Sequence, residues 1–196
     1  LHAAFGAEPL TTPRSVATLV GSGIGCPTTL MPGVMAFGEK GLRGVRPTTV
    51  PRSMTNALSA QIAMRYRLTG ANYVIVAACT SSSNAVGIGF RMIRDGYARQ
   101  VLCVGADTPF DPFVYAAWNN LGVMSKQADP ERACRPFDAA RDGCVLGEGA
   151  GAVFLEAAEL ARARGAAILG EIAGYGESSD AEHITRPSAE GQALAI

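Results

Sequence analysis

Residues 72–90, Asn-Tyr-Val-Ile-Val-Ala-Ala-Cys-Thr-Ser-Ser-Ser-Asn-Ala-Val-Gly-Ile-Gly-Phe, constrain the fold more than any other stretch. An apolar, β-branched run leads straight into Cys79, and the helical pattern that follows is apolar nearly all round. Ala85, Val86, Ile88, Phe90, Met92 and Ile93 leave it only a narrow polar edge, which predicts a central helix. Gly87 and Gly89 weaken its helix propensity but permit close approach of neighbours. A thiol at such a strand-to-helix turn meets unpaired amides and the positive end of the helix, which favour the thiolate. The same amides are placed to stabilise a tetrahedral oxyanion. On this pattern alone Cys79 stays open between a nucleophile and a small buried core residue.

Further strand candidates fall at 16–20, 73–77, 101–104, 153–155 and 168–172, with helical patterns at 50–68, 83–97 and 157–164. In the first helical pattern Met54, Leu58, Ile62 and Tyr66 recur at spacing four, and Pro51 stands where a first-turn proline is tolerated. Strands alternating with helices predict an α/β layered domain, and 196 residues suffice for a sizeable core. Residues 125–142, rich in charge and proline, read as a long ordered loop. Seventeen basic residues balance seventeen acidic ones, so bulk charge favours neither nucleic acid nor an anionic membrane. There is no long apolar run and no secretory leader pattern, which leads to the expectation of a soluble, cytoplasmic protein. Both ends look cut: the chain opens without methionine and closes about one turn into a helix.

The cysteines at 26, 79, 103, 134 and 144 contain no C-x-x-C pair, and the histidines are only His2 and His183. Neither a disulfide framework nor a metal site is expected, and the four cysteines other than Cys79 read as structural.

Three other stretches carry motifs. In Arg135-Pro-Phe-Asp-Ala-Ala-Arg-Asp-Gly-Cys-Val-Leu-Gly-Glu-Gly-Ala-Gly151, four glycines imply tight turns or close backbone packing. Asp138, Arg141 and Asp142 there favour a loop locked by ion pairs and backbone hydrogen bonds over a chemical role. Gly21-Ser-Gly-Ile-Gly25 follows a strand, but Cys26 and Pro27 break a dinucleotide fingerprint. Residues 174–187 form a polar loop in which His183 reads as a structural histidine in preference to a general base near Cys79. No G-x-S-x-G elbow occurs, which disfavours a serine hydrolase.

Together these motifs resemble the β-ketoacyl-acyl-carrier-protein synthase family, of the elongating kind found in fatty-acid and type II polyketide systems. The resemblance rests on Gly21-Ser-Gly-Ile-Gly25, Ala78-Cys79-Thr-Ser, Arg135-Pro-Phe-Asp138, Arg141-Asp-Gly143, Gly147-Glu-Gly-Ala-Gly151, Ser178-Ser-Asp180 and His183-Ile-Thr185, in that order. It implies a thiolase-like fold with α-β-α-β-α layers. Residues 1–156 would hold most of the N-terminal half, and residues 157–196 the start of a truncated C-terminal half.

The resemblance implies that Cys79 accepts an acyl chain from the phosphopantetheine of an acyl carrier protein, and that a malonyl thioester loses carbon dioxide and attacks it. No metal or nucleotide cofactor is implied, and the partner is the carrier protein together with a second synthase subunit, identical or paired. Ile24, Thr49 and Trp118 would shape the acyl pocket, where the small polar Thr49 hints at a longer or more polar chain. Asp180, His183 and Thr185 would lie near the substrate entrance. The family's catalytic histidines, in His-Gly-Thr and Gly-His motifs, have no counterpart in these residues, nor do its lysine and gating phenylalanine. Ser82 stands where a glycine often follows Cys-x-Ser. Alternatives are a catalytically incomplete fragment or carrier-binding scaffold, a chain-length partner subunit, whose kind typically replaces the nucleophile, and a thiolase, against which residues 135–151 argue.

Overall fold

The computed structural model describes residues 15–196. Four strands form one sheet in the order β2-β1-β3-β4, namely β1 (Ala17–Gly21), β2 (Asn72–Ile75), β3 (Gln100–Asp107) and β4 (Gly149–Glu156). β1 pairs in parallel with β2 and β3, while β4 runs antiparallel to β3. Buried on both faces, β1 and β3 read as near-continuous apolar runs because alternate side chains enter different layers. Val16, Val20, Leu102 and Val104 face one cluster, packed with Ile62, Ala63 and Tyr66. Ala17, Leu19, Val101 and Cys103 face the other, against Ala85, Val86, Ile88 and Met92. Each fully buried Leu or Val contributes about 1.5–3 kcal/mol of transfer free energy.

The helices are α1 (Pro27–Lys40), α2 (Thr49–Ser53), α3 (Ala57–Tyr66), α4 (Ser81–Arg94), α5 (Pro112–Asn120), α6 (Pro130–Ala133), α7 (Ala158–Ala163) and α8 (Ala189–Ala193). α3 covers one face of the sheet and α4 the other. The helical pattern expected over 50–68 is divided: Met54 is extended at ψ 137°, and the chain restarts after Asn56. Ser53, Thr55 and Asn56 compete for backbone hydrogen bonds and favour such a break. α1 and α5 lack a sequence-level signature. Pro32, Gly33 and Gly38 interrupt the first, and the second is only nine residues, opened by Asp111, whose carboxylate accepts from the Phe113 amide.

The strand expected at 168–172 does not form. Ile168 and Leu169 are exposed, and no neighbouring strand among the described residues offers them a ladder. Among the described residues no helix is long and apolar enough to cross a membrane.

Candidate active site

Cys79 lies between the end of β2 and the start of α4, and its side chain is exposed, which removes the reading of a buried core residue. Ala78 immediately before it adopts φ +49°, the left-handed region that a Cβ disfavours by roughly 1–2 kcal/mol. That conformation turns the chain sharply from strand to helix. Ser81 locks the turn: its hydroxyl accepts from the Ala77 amide at 2.8 Å and donates to the Ala78 carbonyl at 2.6 Å. The Thr80 hydroxyl donates to the Ala77 carbonyl at 2.8 Å.

The amides of Thr80 and Ser81 bond the Ala77 and Ala78 carbonyls at 3.2 Å each. This corrects the expectation of a free set of helix-start amides at the sulfur, because these two complete the turn that aims Cys79.

The elbow rests on three glycines. A Cβ on Gly21 would stand 2.3 Å from the Ser81 carbonyl oxygen, and one on Gly23 would stand 3.0 Å from that of Ala78. Gly105 faces the Ser82 side chain, so the serine at this position is accommodated by the missing Cβ across from it. Gly21-Ser-Gly-Ile-Gly25 is thus the seat of the Cys79 turn.

Asp107, at the end of β3, pins that seat. Its carboxylate accepts from the Ser22 hydroxyl at 2.7 Å and from the amides of Gly23, Ile24 and Gly25 at 2.9, 3.1 and 2.9 Å. Partial burial pushes its pKa up, but the Ser22 hydroxyl and the three amides outweigh burial and hold the carboxyl below its usual value. Asp107 is a site residue that sequence reasoning missed, since 82 to 85 positions separate it from its donors.

Among the expected pocket residues, Ile24 rides on this pinned loop beside the elbow. Thr49 opens α2 against Gly33 of α1, and Trp118 lies half-buried on α5; neither is tied to the elbow by a hydrogen bond. Asp180 and His183 line a shallow open concavity with Ser179, Ala181, Glu182 and Ile184. His183 Nδ1 accepts from the amides of Thr185 at 3.1 Å and Arg186 at 3.2 Å, so it closes a turn of its own loop, in keeping with the structural reading. Asp180 accepts from the Ser188 amide at 2.8 Å.

The block 135–151 is locked as expected. Asp142 accepts from the Ser125 hydroxyl, the Lys126 amide and Arg135, and Arg141 donates to the Asp138 carbonyl. Gly143 allows the backbone of Met124 to approach closely. Gly147, Gly149 and Gly151 face open space, which corrects the expectation of close packing there; β4 is an edge strand with a bare face among the described residues.

The other cysteines separate chemically. Burial pushes the Cys103 thiol up to about 12. At Cys26 partial burial raises the pKa, yet hydrogen bonds involving Thr108, Thr28 and Thr29 outweigh it and lower the thiol to about 7. Cys26 is exposed where Cys103 is buried, and the two thiols are shifted in opposite directions. Among the described residues no cluster of His, Cys, Asp or Glu is arranged to hold a metal.

A thiol presented on a strained strand-to-helix elbow, above a glycine seat on a mixed sheet with a helix on either face, has the geometry of a cysteine nucleophile site. Residues 2–161 match the family described as "Beta-ketoacyl synthase, N-terminal domain", and the chain belongs to the β-ketoacyl synthase family. It is 40% identical over 180 residues to 3-oxoacyl-[acyl-carrier-protein] synthase 2 of Rhizobium meliloti, covering 91% of this chain and 43% of that protein. The corresponding Synechocystis protein is 38% identical over 178 residues, covering 90% and 43%. The structure superimposes on a β-ketoacyl synthase from Burkholderia phymatum with a TM-score of 0.80, at 31% identity over 92% of this chain and 45% of that one. The ishigamide ketosynthase/chain length factor gives 0.84 at 30% identity, covering 94% and 45%. The fold is that of the thiolase-like ketosynthases, and the chain spans less than half the length of the curated relatives it matches.

Proposed function

We propose that Cys79 is the acyl-accepting nucleophile of a β-ketoacyl synthase acting on acyl-carrier-protein thioesters in fatty-acid or polyketide synthesis. The observation that carries this reading is the exposed Cys79 sulfur on the Ala78 elbow, seated on Gly21 and Gly23. The Cys79 thiolate attacks the acyl thioester carbonyl. A new carbon–sulfur bond forms, the bond to the pantetheine sulfur breaks, and the departing thiolate takes up the proton that Cys79 gave up. A malonyl thioester then loses carbon dioxide, and its carbanion attacks the acyl-Cys79 carbonyl and releases the Cys79 thiolate.

The residues here supply the nucleophile, its seat and the Ile24 loop. The His-Gly-Thr and Gly-His motifs that serve decarboxylation in this family do not occur among these 196 residues. Carrier protein as partner is supported by a structural relative, solved as a type II polyketide acyl carrier protein in complex with its ketosynthase. Asp180, His183 and Thr185 are assigned to the entrance of the pantetheine arm, and Ile24, Thr49 and Trp118 to the acyl pocket. β2 is one of the two edges of the sheet among the described residues, with Tyr73 and the following Val76 exposed, and is the surface we assign to a second synthase subunit. A reading as a bare chain-length partner is disfavoured by Cys79 itself.

The test is intact-protein mass of the full-length polypeptide before and after incubation with an acyl-carrier thioester. One acyl adduct mapped to Cys79, absent in Cys79→Ala, is the expected result. Adduct persisting in Cys79→Ala sinks the reading.

A further inference from the structure

The loop that carries Asp180, His183 and Thr185 is anchored on the nucleophile helix by side chains that the proposed reaction does not use. Tyr175 lays its ring on Gly87 of α4, in the space a Cβ would occupy. Arg91, one turn further along the helix, covers that ring with its guanidinium carbon 4.9 Å from the centroid. Arg91 also donates to Glu177 at 2.6 Å, and the Tyr175 hydroxyl donates to the other Glu177 oxygen at 2.8 Å. Asn84 completes the set, donating to the Tyr175 hydroxyl at 2.9 Å and to Glu177 at 3.1 Å.

Asn84, Gly87 and Arg91 are spaced three and four apart, so they form one stripe of α4. That stripe begins five residues after Cys79. Directly beyond Glu177 the Ser178 hydroxyl donates to the Gly191 carbonyl at 2.5 Å, and Asp180 holds the Ser188 amide. The base of the loop is therefore fixed at two places, while Ile184 at its tip is 97% exposed.

We propose that Tyr175 and Glu177, held by Asn84, Gly87 and Arg91, are positioning residues that set the entrance loop 178–188 in register with the Cys79 helix. The proposal rests on the synthase reading for its functional consequence, because the register matters only if a carrier-borne arm passes that loop to reach Cys79. An exposed ion pair alone has small effect. Here the pair is one member of a network whose other members are a ring seated in a glycine notch and a shared amide donor, and such networks act as units.

The experiment uses the full-length polypeptide with three variants. Gly87→Ala fills the notch while improving helix propensity, Tyr175→Phe keeps the ring and removes its hydroxyl, and Glu177→Gln removes the charge. Two readouts are taken: amide hydrogen exchange over 178–188 and over 81–94, and loading of Cys79 from a carrier-bound acyl thioester and from a free N-acetylcysteamine thioester. Gly87→Ala and Glu177→Gln are expected to speed exchange in 178–188 and to raise KM for the carrier-borne substrate, each roughly three- to tenfold. Exchange over 81–94 and loading from the free thioester stay near wild type.

Unchanged exchange in 178–188 overturns the proposal, as does an equal loss on both substrates with a lowered Tm, which marks a merely structural role. If wild type is never loaded at Cys79 the synthase reading falls, and the exchange readout still decides whether the network holds the loop. If wild type loads and all three variants match it on the carrier-borne substrate, the positioning role falls and the synthase reading stands.

Discussion

Gly21 and Ser81 meet backbone to backbone: a Cβ on Gly21 would lie 2.3 Å from the Ser81 carbonyl oxygen and 2.4 Å from its carbon. Neither partner is a flexible side-chain end, so one of them must move. Gly21→Ala is expected to destabilise the full-length protein by about 1–3 kcal/mol, as overpacking does. The check is the urea midpoint; a midpoint equal to wild type would show that the contact is looser than described.

Asp107→Asn replaces a carboxylate that takes four donors with an amide that turns its own N–H groups toward some of them. A loss of about 1.5–3 kcal/mol is expected at neutral pH, the range for hydrogen bonds to a charged group. The pH dependence has a definite sign. Because the folded carboxyl is held below its unfolded value of about 3.9, its contribution is complete above that pH and disappears as pH falls through the folded pKa. Urea titrations from pH 7 to 3 should therefore show a constant gap between wild type and variant that narrows only below about pH 4. A gap that widens on acidification would contradict the assignment.

Thiol mapping with iodoacetamide should distinguish the cysteines. Cys26, lowered to about 7, should alkylate along a titration centred there, while buried Cys103 stays unmodified in the native protein across pH 6–9. Labelling of Cys103 at a rate comparable to Cys26 would mean that the sheet opens locally.

Gly89 and Cys103 offer a coupled test, since a Cβ on Gly89 would stand 2.7 Å from the Cys103 sulfur. Gly89→Ala alone should cost about 1–3 kcal/mol, and adding Cys103→Ala should recover part of it in a double-mutant cycle. Strict additivity would place the strain instead on Leu155 and Val101, which lie 3.2 Å away.

The strands of the sheet were legible because β1 and β3 are buried over most of their length and near-continuously apolar, and the thiol was legible because β2 runs into it. α1 was hidden by Pro32 and its glycines, whose local signal opposes the helix that forms over Pro27–Lys40. The candidate strand at 168–172 had the right residues but, among the described residues, no ladder to join. The glycines of 21–25 were visible as a motif, yet their purpose was not, because what they admit comes from 55 to 61 residues further along the chain. Asp107 and the Tyr175–Arg91 contact were invisible for the same reason: nothing local distinguishes a residue whose partners are all remote.

The left-handed Ala78 has a consequence for how this thiol tolerates change. The bearing of the Cys79 side chain is set by one backbone torsion, clamped by Ser81 and the glycine seat. Residues around the sulfur can therefore change while the thiol keeps its aim. A glycine at 78 would have the opposite effect, relieving the local energy but letting the direction of the thiol wander.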